Sequence, residues 1–207
     1  MSDKLIGLFP TTLLVTKYEG DFKKEFKYIR ELEYENQQIT GVFRSKDSYL
    51  MNHPELLKLK EFFLEGLDKY STSILGTEKK LSITQAWVQR NIYQSFTHDH
   101  THPNSIVSGV FYFRNEKHAG ISFNKSTIDR IVLPKVKNHR LNSEAWHFEP
   151  LSGELILFPS QTRHSVPPNI KKESRYSLSF NSFCFDELGV QSLSTHLKIK
   201  DNDGPRR

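Results

Sequence analysis

The residues best suited to chemistry are histidines, and three of the nine in the chain fall within five positions. They are His98, His100 and His102, in the run Thr97-His98-Asp99-His100-Thr101-His102-Pro103. If this run is extended, the three side chains point to one face, because side chains alternate along a strand. Two imidazoles on one face of a strand can share a metal ion, and a third ligand must then come from elsewhere in the chain.

Later residues supply a candidate third ligand and a cation. His164 follows an apolar segment that ends at Phe158-Pro159, and Arg175 begins the run Arg175-Tyr-Ser177-Leu-Ser179-Phe-Asn181. By alternation, the arginine, the two serines and the asparagine share one face of a strand. A guanidinium at the start of such a face needs an anionic partner. Its fork suits a carboxylate, to which a neighbouring hydroxyl can add a hydrogen bond.

Each of these pieces alone also has a structural explanation. An HxH pattern is typical of surface histidines beside a turn as well, His164 could be a hydrogen-bonded loop histidine, and Arg175 could pair with a structural carboxylate. Their order favours one joint site: HxH at the start of a strand, a histidine after a later strand, then Arg-x-Ser on the last core strand. On a jelly roll, that order is what an iron- and 2-oxoglutarate-dependent oxygenase requires.

The composition of the chain limits its class. A length of 207 residues favours one domain, and 15 Phe and 8 Tyr supply bulky core material that argues against disorder. Cys184 is the single cysteine, so an intrachain disulfide and a cysteine-based zinc site are excluded. Apolar runs such as Leu155–Pro159 are far shorter than the roughly 18 residues of a membrane span. The N-terminus lacks a signal-peptide pattern, and we predict a cytoplasmic protein.

The net charge of +5 is a mild bias. It favours an anionic ligand or partner, but a solvated basic surface would give the same value. Nucleic-acid binding is permitted by this charge and is not supported by any stripe of basic and aromatic residues.

Two helices are expected before residue 80. Apolar residues at helical spacing predict the first over Asp21–Glu35, and Pro54 opens a second that Gly76 ends. A short strand or two strand fragments are predicted within Leu5–Thr16, and a polar loop or edge strand over Gly41–Tyr49. Helices of this kind need a sheet to cover.

After Leu81 the chain breaks into short aromatic or β-branched segments separated by turns. They are Ile83–Tyr93, Ser105–Phe113, Gly120–Asn124, Arg130–Pro134, Gly153–Phe158 and Arg175–Phe185. Strands at this density indicate an antiparallel sandwich or jelly roll. We therefore predict a mainly β fold, a double-stranded β-helix (jelly roll) with two supporting N-terminal α-helices. Residues 1–80 would form the buttress, 81–197 the core and 198–207 a flexible tail of one folded domain.

The motifs resemble those of a family of 2-oxoglutarate-Fe(II) oxygenases from bacteria and tailed phages, distant relatives of the prolyl hydroxylases. That family shows HxHP…SGVYY, then GxLxLFPxxxxHxVxPN, then RxSxSFN. The matching segments here are His100–Tyr112, Gly153–Asn169 and Arg175–Asn181, and Leu8–Thr11 resembles the family's opening motif. The resemblance spans nearly the whole chain.

The resemblance implies a role for each matching residue. His100, His102 and His164 match the metal positions. Arg175 matches the residue that grips the distal carboxylate of 2-oxoglutarate, with Ser177 beside it and Tyr112 over the same carboxylate. The implied cofactor is Fe(II), and the implied cosubstrates are 2-oxoglutarate and dioxygen.

One ligand departs from the pattern of the wider superfamily, whose members mostly have His-x-Asp or His-x-Glu. Here the second position is His102, so a neutral imidazole replaces a carboxylate. We expect weaker Fe(II) binding and a stronger hold on the anionic cosubstrate. His98 and Asp99 remain alternative ligands, although only His100 and His102 are followed by the matching Pro and Ser-Gly-Val-Phe-Tyr register.

The resemblance implies a dioxygenase that couples oxidative decarboxylation of 2-oxoglutarate to hydroxylation of a substrate. Kinship with prolyl hydroxylases favours a peptide or protein side chain, with a small molecule next. Three alternatives stay open: a cupin-like metal protein without 2-oxoglutarate, a non-enzymatic sandwich with structural histidines, and a nucleic-acid base hydroxylase. The Arg175-x-Ser177 pair argues against the first of them.

Overall fold

The computed structural model describes residues 4, 6–114, 120–126, 133–139 and 141–200. In chain order the main elements are β1 (Leu14–Lys17), α1 (Lys23–Glu31), β2 (Tyr34–Gln37), β3 (Val42–Ser45), α2 (Leu57–Tyr70), β4 (Ser82–Asn91), β5 (Thr97–His100), β6 (Val107–Arg114), β7 (Ile121–Asn124), β8 (Ala145–Phe148), β9 (Glu154–Pro159), β10 (His164–Val166), β11 (Arg175–Phe183), β12 (Glu187–Leu188) and β13 (Leu197–Lys198). Short 3-10 turns occupy Leu50–Asn52, Pro54–Leu56 and Gln191–Leu193, and a π-helical turn, Ser71–Leu75, extends α2.

Two antiparallel sheets carry the fold. The large sheet has seven strands in the order β1-β9-β6-β11-β4-β3-β2, and the small sheet has four in the order β5-β10-β7-β8. The last two strands form a separate pair. Val110 and Phe158 of the large sheet pack against Ile121 and Phe123 of the small sheet in one buried cluster. The sheets therefore face each other, and the predicted jelly roll is confirmed.

A second core covers the other face of the large sheet. Phe63 and Leu67 of α2 are fully buried there, and Phe63 stacks on Phe180 of β11 at 5.0 Å between ring centroids. Ile29 of α1 belongs to the same cluster. The two N-terminal helices thus support the sheet from outside, as predicted.

Strand alternation decides which side chains reach the space between the sheets. Along β11, Tyr176, Leu178 and Phe180 join the helix-side core. The opposite face of β11 lines a cavity between the sheets with Arg175, Ser177 and Ser179. The period-two pattern that the sequence predicted for this strand is present, and it aims the polar face inward.

The N-terminal elements differ from the prediction in their bounds. The helix predicted over Asp21–Glu35 ends at Glu31, because its last residues form β2 and pair with β3 as a hairpin. The polar segment Gly41–Tyr49 contains β3, which also pairs with β4. Within the described part of Leu5–Thr16, only the residues from Leu14 onward are in a strand.

The remaining differences lie after α2. Gly76 does end the second helix, in the left-handed region at φ 66°. Residues 130–132 of the strand predicted over Arg130–Pro134 lie outside the described residues, and the two that follow are not in a strand. Four short strands, β8, β10, β12 and β13, were not predicted. None of the helices in the described ranges has the length and apolar composition that crossing a bilayer requires.

Candidate metal and cosubstrate site

The structure brings three of the predicted histidines together. His100 ends β5 and His164 begins β10, and the two are direct partners in the ladder of the small sheet. His102 lies two residues beyond β5, where its backbone N–H donates to the carbonyl of Ser160 at 2.9 Å. One nitrogen from each ring lies within 4.8 Å of the others. This triad can hold a metal ion.

Hydrogen bonds fix the tautomer of each ring. Nδ1 of His100 lies 2.8 Å from the carbonyl oxygen of His98, and Nδ1 of His164 lies 2.9 Å from that of Thr162. Nδ1 of His102 lies 2.6 Å from Oδ1 of Asn181. A carbonyl oxygen only accepts, so each Nδ1 carries the proton and each Nε2 carries a lone pair. A lone pair on Nε2 is what a metal ligand needs.

The arrangement of these lone pairs fits a cation. Nε2 of His102 and Nε2 of His164 are 3.2 Å apart, although neither has a proton to donate. Protonation is opposed by burial, which lowers the pKa of His102 to about 4 and that of His164 to about 3. Burial also lowers the pKa of His100. Three neutral imidazoles with converging lone pairs are a donor set for Fe(II) or a similar transition metal.

A chain of buried hydroxyls supports the His102 contact. Ser108 donates to the same Oδ1 of Asn181 at 3.1 Å, and its own oxygen lies 2.8 Å from that of Ser160. Ser160 in turn donates to Ser105 at 2.7 Å. These groups link β6, β9 and β11 of the large sheet to the ligand that follows β5. Sequence analysis placed Asn181 on the polar face of its strand and missed this role.

Trp87 of β4 packs against the ring of His102. The two rings stack with centroids 5.8 Å apart and planes 20° apart. The guanidinium of Arg44 on β3 also lies over this indole, 4.5 Å from the ring centroid. Trp87 thus contacts both Arg44 and His102, and its stacking on the imidazole limits rotation of the His102 ring.

Arg175 lies in the same cavity as the triad. Its side chain is buried, yet Nε and Nη1 have no hydrogen-bond partner among the described residues. Burial lowers the pKa of this guanidinium. A buried cation without an acceptor is costly, and a carboxylate that accepts both N–H groups would offset the cost. The site therefore fits one end of a 2-oxoglutarate molecule.

Tyr112 and Ser177 are neighbours of this cation. They are partners in the β6–β11 ladder and both line the cavity. Tyr112 is buried, and burial raises its pKa to about 12, so its hydroxyl stays protonated and can donate. The three residues predicted to bind the cosubstrate are thus brought together around one end of the cavity.

The two alternative ligands lie outside the triad. His98 is exposed and its ring lies beside His100 rather than among the converging nitrogens. Asp99 forms an ion pair with Arg163 at 2.6 Å and accepts a hydrogen bond from Asn124 at 2.8 Å. These contacts keep its carboxylate away from the triad and lower its pKa, with the Asn124 bond as the largest cause.

A match to a known protein family covers the residues of the candidate site. Residues 85–181, which carry β4 to β11 and the whole cavity, match the model of a family described as "Putative 2OG-Fe(II) oxygenase". The resemblance that the motifs predicted is confirmed over this segment, which matches the 2-oxoglutarate-Fe(II) oxygenase family. Fe(II), 2-oxoglutarate and dioxygen are the cofactor and cosubstrates of such enzymes. No curated protein sequence matches the chain.

Solved structures share the fold at low sequence identity. HygX from Streptomyces hygroscopicus with nickel, 2-oxoglutarate and hygromycin B aligns with a TM-score of 0.62 and 11% identity, over 83% of this chain and 82% of that one. A Trichoplax adhaerens prolyl hydroxylase in complex with a hypoxia inducible factor peptide fragment gives 0.59 and 13%, over 83% of each. A Pseudomonas putida prolyl-4-hydroxylase gives 0.57 and 14%, over 84% and 94%.

Proposed function

We propose that this protein hydroxylates a peptide or protein side chain, with Fe(II) held by His100, His102 and His164. The observation that carries the proposal is one cavity that contains three converging Nε2 lone pairs and the unpartnered guanidinium of Arg175. A cupin without a keto acid needs only the first of these features. When bound, Fe(II) and 2-oxoglutarate supply oxidative decarboxylation of the keto acid and insertion of oxygen into a substrate C–H bond.

The chain's own residues position the cosubstrate. Arg175 would hold the distal carboxylate through Nε and Nη1, which have no partner among the described residues, and the protonated Tyr112 hydroxyl and Ser177 would donate to the same group. Val110 and Ile121 add apolar surface to the wall of the cavity. Surroundings of low polarity would strengthen each charge-assisted hydrogen bond to the keto acid.

The third ligand position bears on the type of reaction. An oxygenase that adds halide requires a vacant ligand position, and His102 is large enough to fill it. Its ring is oriented by Asn181 and stacked on Trp87, with Nε2 toward His164. These contacts support hydroxylation rather than halogenation.

The peptide substrate is supported by the relatives. The prolyl hydroxylases align over more than four fifths of this chain, and one of them was solved with a peptide fragment. HygX, which has the same fold, was solved with hygromycin B, so a small molecule is the second substrate class. Specificity then depends on the loops and grooves around the cavity.

The test is turnover in solution. Purified protein with Fe(II), 2-oxoglutarate and oxygen should release succinate slowly without substrate, and peptide mixtures should accelerate the release and gain 16 mass units, one oxygen atom. Arg175→Ala should lose both activities while retaining bound metal. Absence of succinate release from metal-loaded protein, or a chlorinated product in the presence of chloride, would contradict the proposal.

A further inference from the structure

A groove opens beside the cavity, between the β2–β3 hairpin and β5, which is the edge strand of the small sheet. The two spaces share a wall: Trp87, Gln89, Thr97, His100 and His102 line both. A molecule in the groove would therefore lie directly against the candidate metal ligands. The groove's outer wall is the hairpin, whose turn is held in place by the backbone bond from Phe96 N–H to the carbonyl of Thr40.

Arg44 of β3 lies in this wall. Apart from the histidines, it is the one charged side chain that lines the groove in the described part of the chain. Its guanidinium stacks on Trp87 and donates from Nη2 to Ser48 Oγ at 3.3 Å. It is half-buried, and burial lowers its pKa.

Arg44 makes no ion pair with any described carboxylate. Its cross-strand partner in the hairpin is Glu35. The negative charge of Glu35 acts to raise the pKa of Arg44, but the two side chains form no ion pair. The Glu35 carboxylate instead accepts a hydrogen bond from the side chain of Gln37 at 3.3 Å. Arg44 is thus held by its stacking and one weak neutral hydrogen bond, with further N–H donors left for an anion.

Among the described residues, the rest of the groove has no acidic side chain, and its amides and hydroxyls lie beside the apolar Ile39, Val42 and Pro103. Gln85 and Gln89 of β4 flank Trp87 on the same face, and within the described ranges their amides make no side-chain hydrogen bond. The hydroxyl of Thr97, where groove and cavity meet, is buried without a partner. These groups can hydrogen-bond a polar ligand, and none of them would repel an anion or occupy Arg44.

We propose that this groove binds the primary substrate and that Arg44 pairs with a carboxylate of it, beside the iron site. The inference rests on the proposed oxygenase function and adds a chemical class to its substrate. The carboxylate can belong to a free organic acid or to an acidic residue of a peptide, because both present the same two oxygens to a guanidinium. Trp87 gives Arg44 a fixed orientation, so substrate held there has a fixed position relative to His102.

The test uses the full chain loaded with Fe(II) and 2-oxoglutarate under argon, where turnover cannot start. Two matched probe pairs are compared by saturation-transfer NMR: mixed N-acetyl amino acids against their amides, and capped hexapeptides with a central Glu against the same peptides with Gln. The acid of at least one pair should bind about tenfold or more tightly than its neutral match. Preference in the first pair indicates a small acid, and preference in the second an acidic peptide.

Variants separate Arg44 from general charge effects. Arg44→Gln should abolish the preference, and Arg44→Lys should retain part of it, since lysine keeps the charge and loses the fork. Arg90→Gln is the matched control, because Arg90 also lies over an aromatic ring, Phe43, at 5.5 Å, and faces the opposite side of β4. It should keep the full preference.

Binding of 2-oxoglutarate by each variant is measured first. If the wild-type protein fails to bind it, the proposed oxygenase function is wrong irrespective of the groove. If 2-oxoglutarate binds and both probe pairs show equal binding or none, the carboxylate inference alone is overturned. An unchanged preference in Arg44→Gln with normal 2-oxoglutarate binding would also overturn it.

Discussion

Oδ1 of Asn181 lies 2.6 Å from Nδ1 of His102, and this contact joins the central strand β11 to the loop that follows β5. The amide oxygen also accepts from Ser108, so its orientation is fixed from the other side. A ligand histidine whose Nδ1–H is held by an oxygen presents Nε2 in one direction and with raised basicity. Asn181 is therefore a positioning residue for the candidate metal site.

Asn181→Ala should weaken metal binding by about 10-fold or more, the usual cost of losing such a contact. Titration of the metal-free protein with Fe(II) under argon, followed by calorimetry, measures this. Asn181→Asp keeps an acceptor oxygen and should keep most of the affinity. Equal affinities in wild type and Asn181→Ala would show that stacking on Trp87 alone orients the ring.

Replacing His100, His102 or His164 by Ala should each remove most Fe(II) affinity. The exposed His139 is the control, and its replacement should change nothing, because it lies in the loop after residue 133 rather than in the cavity. His98→Ala distinguishes the two registers of the HxHxH run. Damage from His98→Ala equal to that from His102→Ala would place the metal two residues earlier.

Arg175→Ala should weaken 2-oxoglutarate binding on the order of 100-fold, since a buried charge-assisted pair is worth a few kcal/mol. Iron affinity should stay nearly unchanged. Arg175→Lys should be intermediate. Fluorescence titration of the Fe(II)-loaded protein under argon gives both constants, and unchanged 2-oxoglutarate affinity in Arg175→Ala would favour a cupin-like metal protein.

The stability of the metal-free protein should fall as the pH decreases below about 6.5. Burial lowers the pKa of folded His164 to about 3 and of His102 to about 4. Below about pH 6.5 the unfolded chain binds protons that these folded residues do not, so unfolding is favoured down to their folded pKa values. Each contributes a slope of up to about 1.4 kcal/mol per pH unit.

Urea unfolding between pH 5 and pH 8 measures this slope. His164→Gln should reduce it, and His139→Gln should leave it as in wild type. A slope that is the same in all three proteins would mean that the triad is protonated in the folded state, contrary to the tautomers inferred from its hydrogen bonds.

Gly109→Ala should destabilise the fold by about 1–3 kcal/mol. Gly109 of β6 is the ladder partner of Phe180, and a Cβ there would lie 2.2 Å from the Phe180 ring, which is itself stacked on Phe63. The Phe180 ring is fully buried, so making room for a methyl group would disturb the packing around it. Thermal unfolding checks the change, with Gly76→Asn as a comparison at an uncrowded left-handed position where nothing lies within 4 Å; equal losses would contradict the packing explanation.

Much of the site could be predicted because it lies on regular strands. Alternation alone placed Arg175 and Ser177 on the inward face of β11, and the HxH spacing grouped His100 with His102. The prediction that these histidines start a strand is wrong, because His100 ends β5 and His102 follows it. The Ser-Gly-Val segment of β6 now has a physical reason as well, since Gly109 makes room for Phe180. These features depend on local geometry, which sequence periodicity reports directly.

The hairpin of β2 and β3 could not be predicted in the same way. Tyr34 and Glu35 are compatible with a helix, and the pattern of apolar residues predicts them as the end of the first one, whereas both belong to β2. Their strand conformation comes from pairing with β3, which in turn pairs with β4, far along the chain. The groove and Arg44 depend on that long-range pairing, and so do the contacts of Asn181.

The triad draws its members from both layers of the fold. His100 and His164 belong to the small sheet, whereas His102 is fastened to the large sheet by Asn181 and Ser160. An ion bound by all three would connect the two sheets. Its binding free energy would add to the free energy that is needed to separate them. Iron supply in the cell would then govern more than reaction rate. Chains made during iron starvation would open more often at β5 and β10, and proteases would remove them sooner.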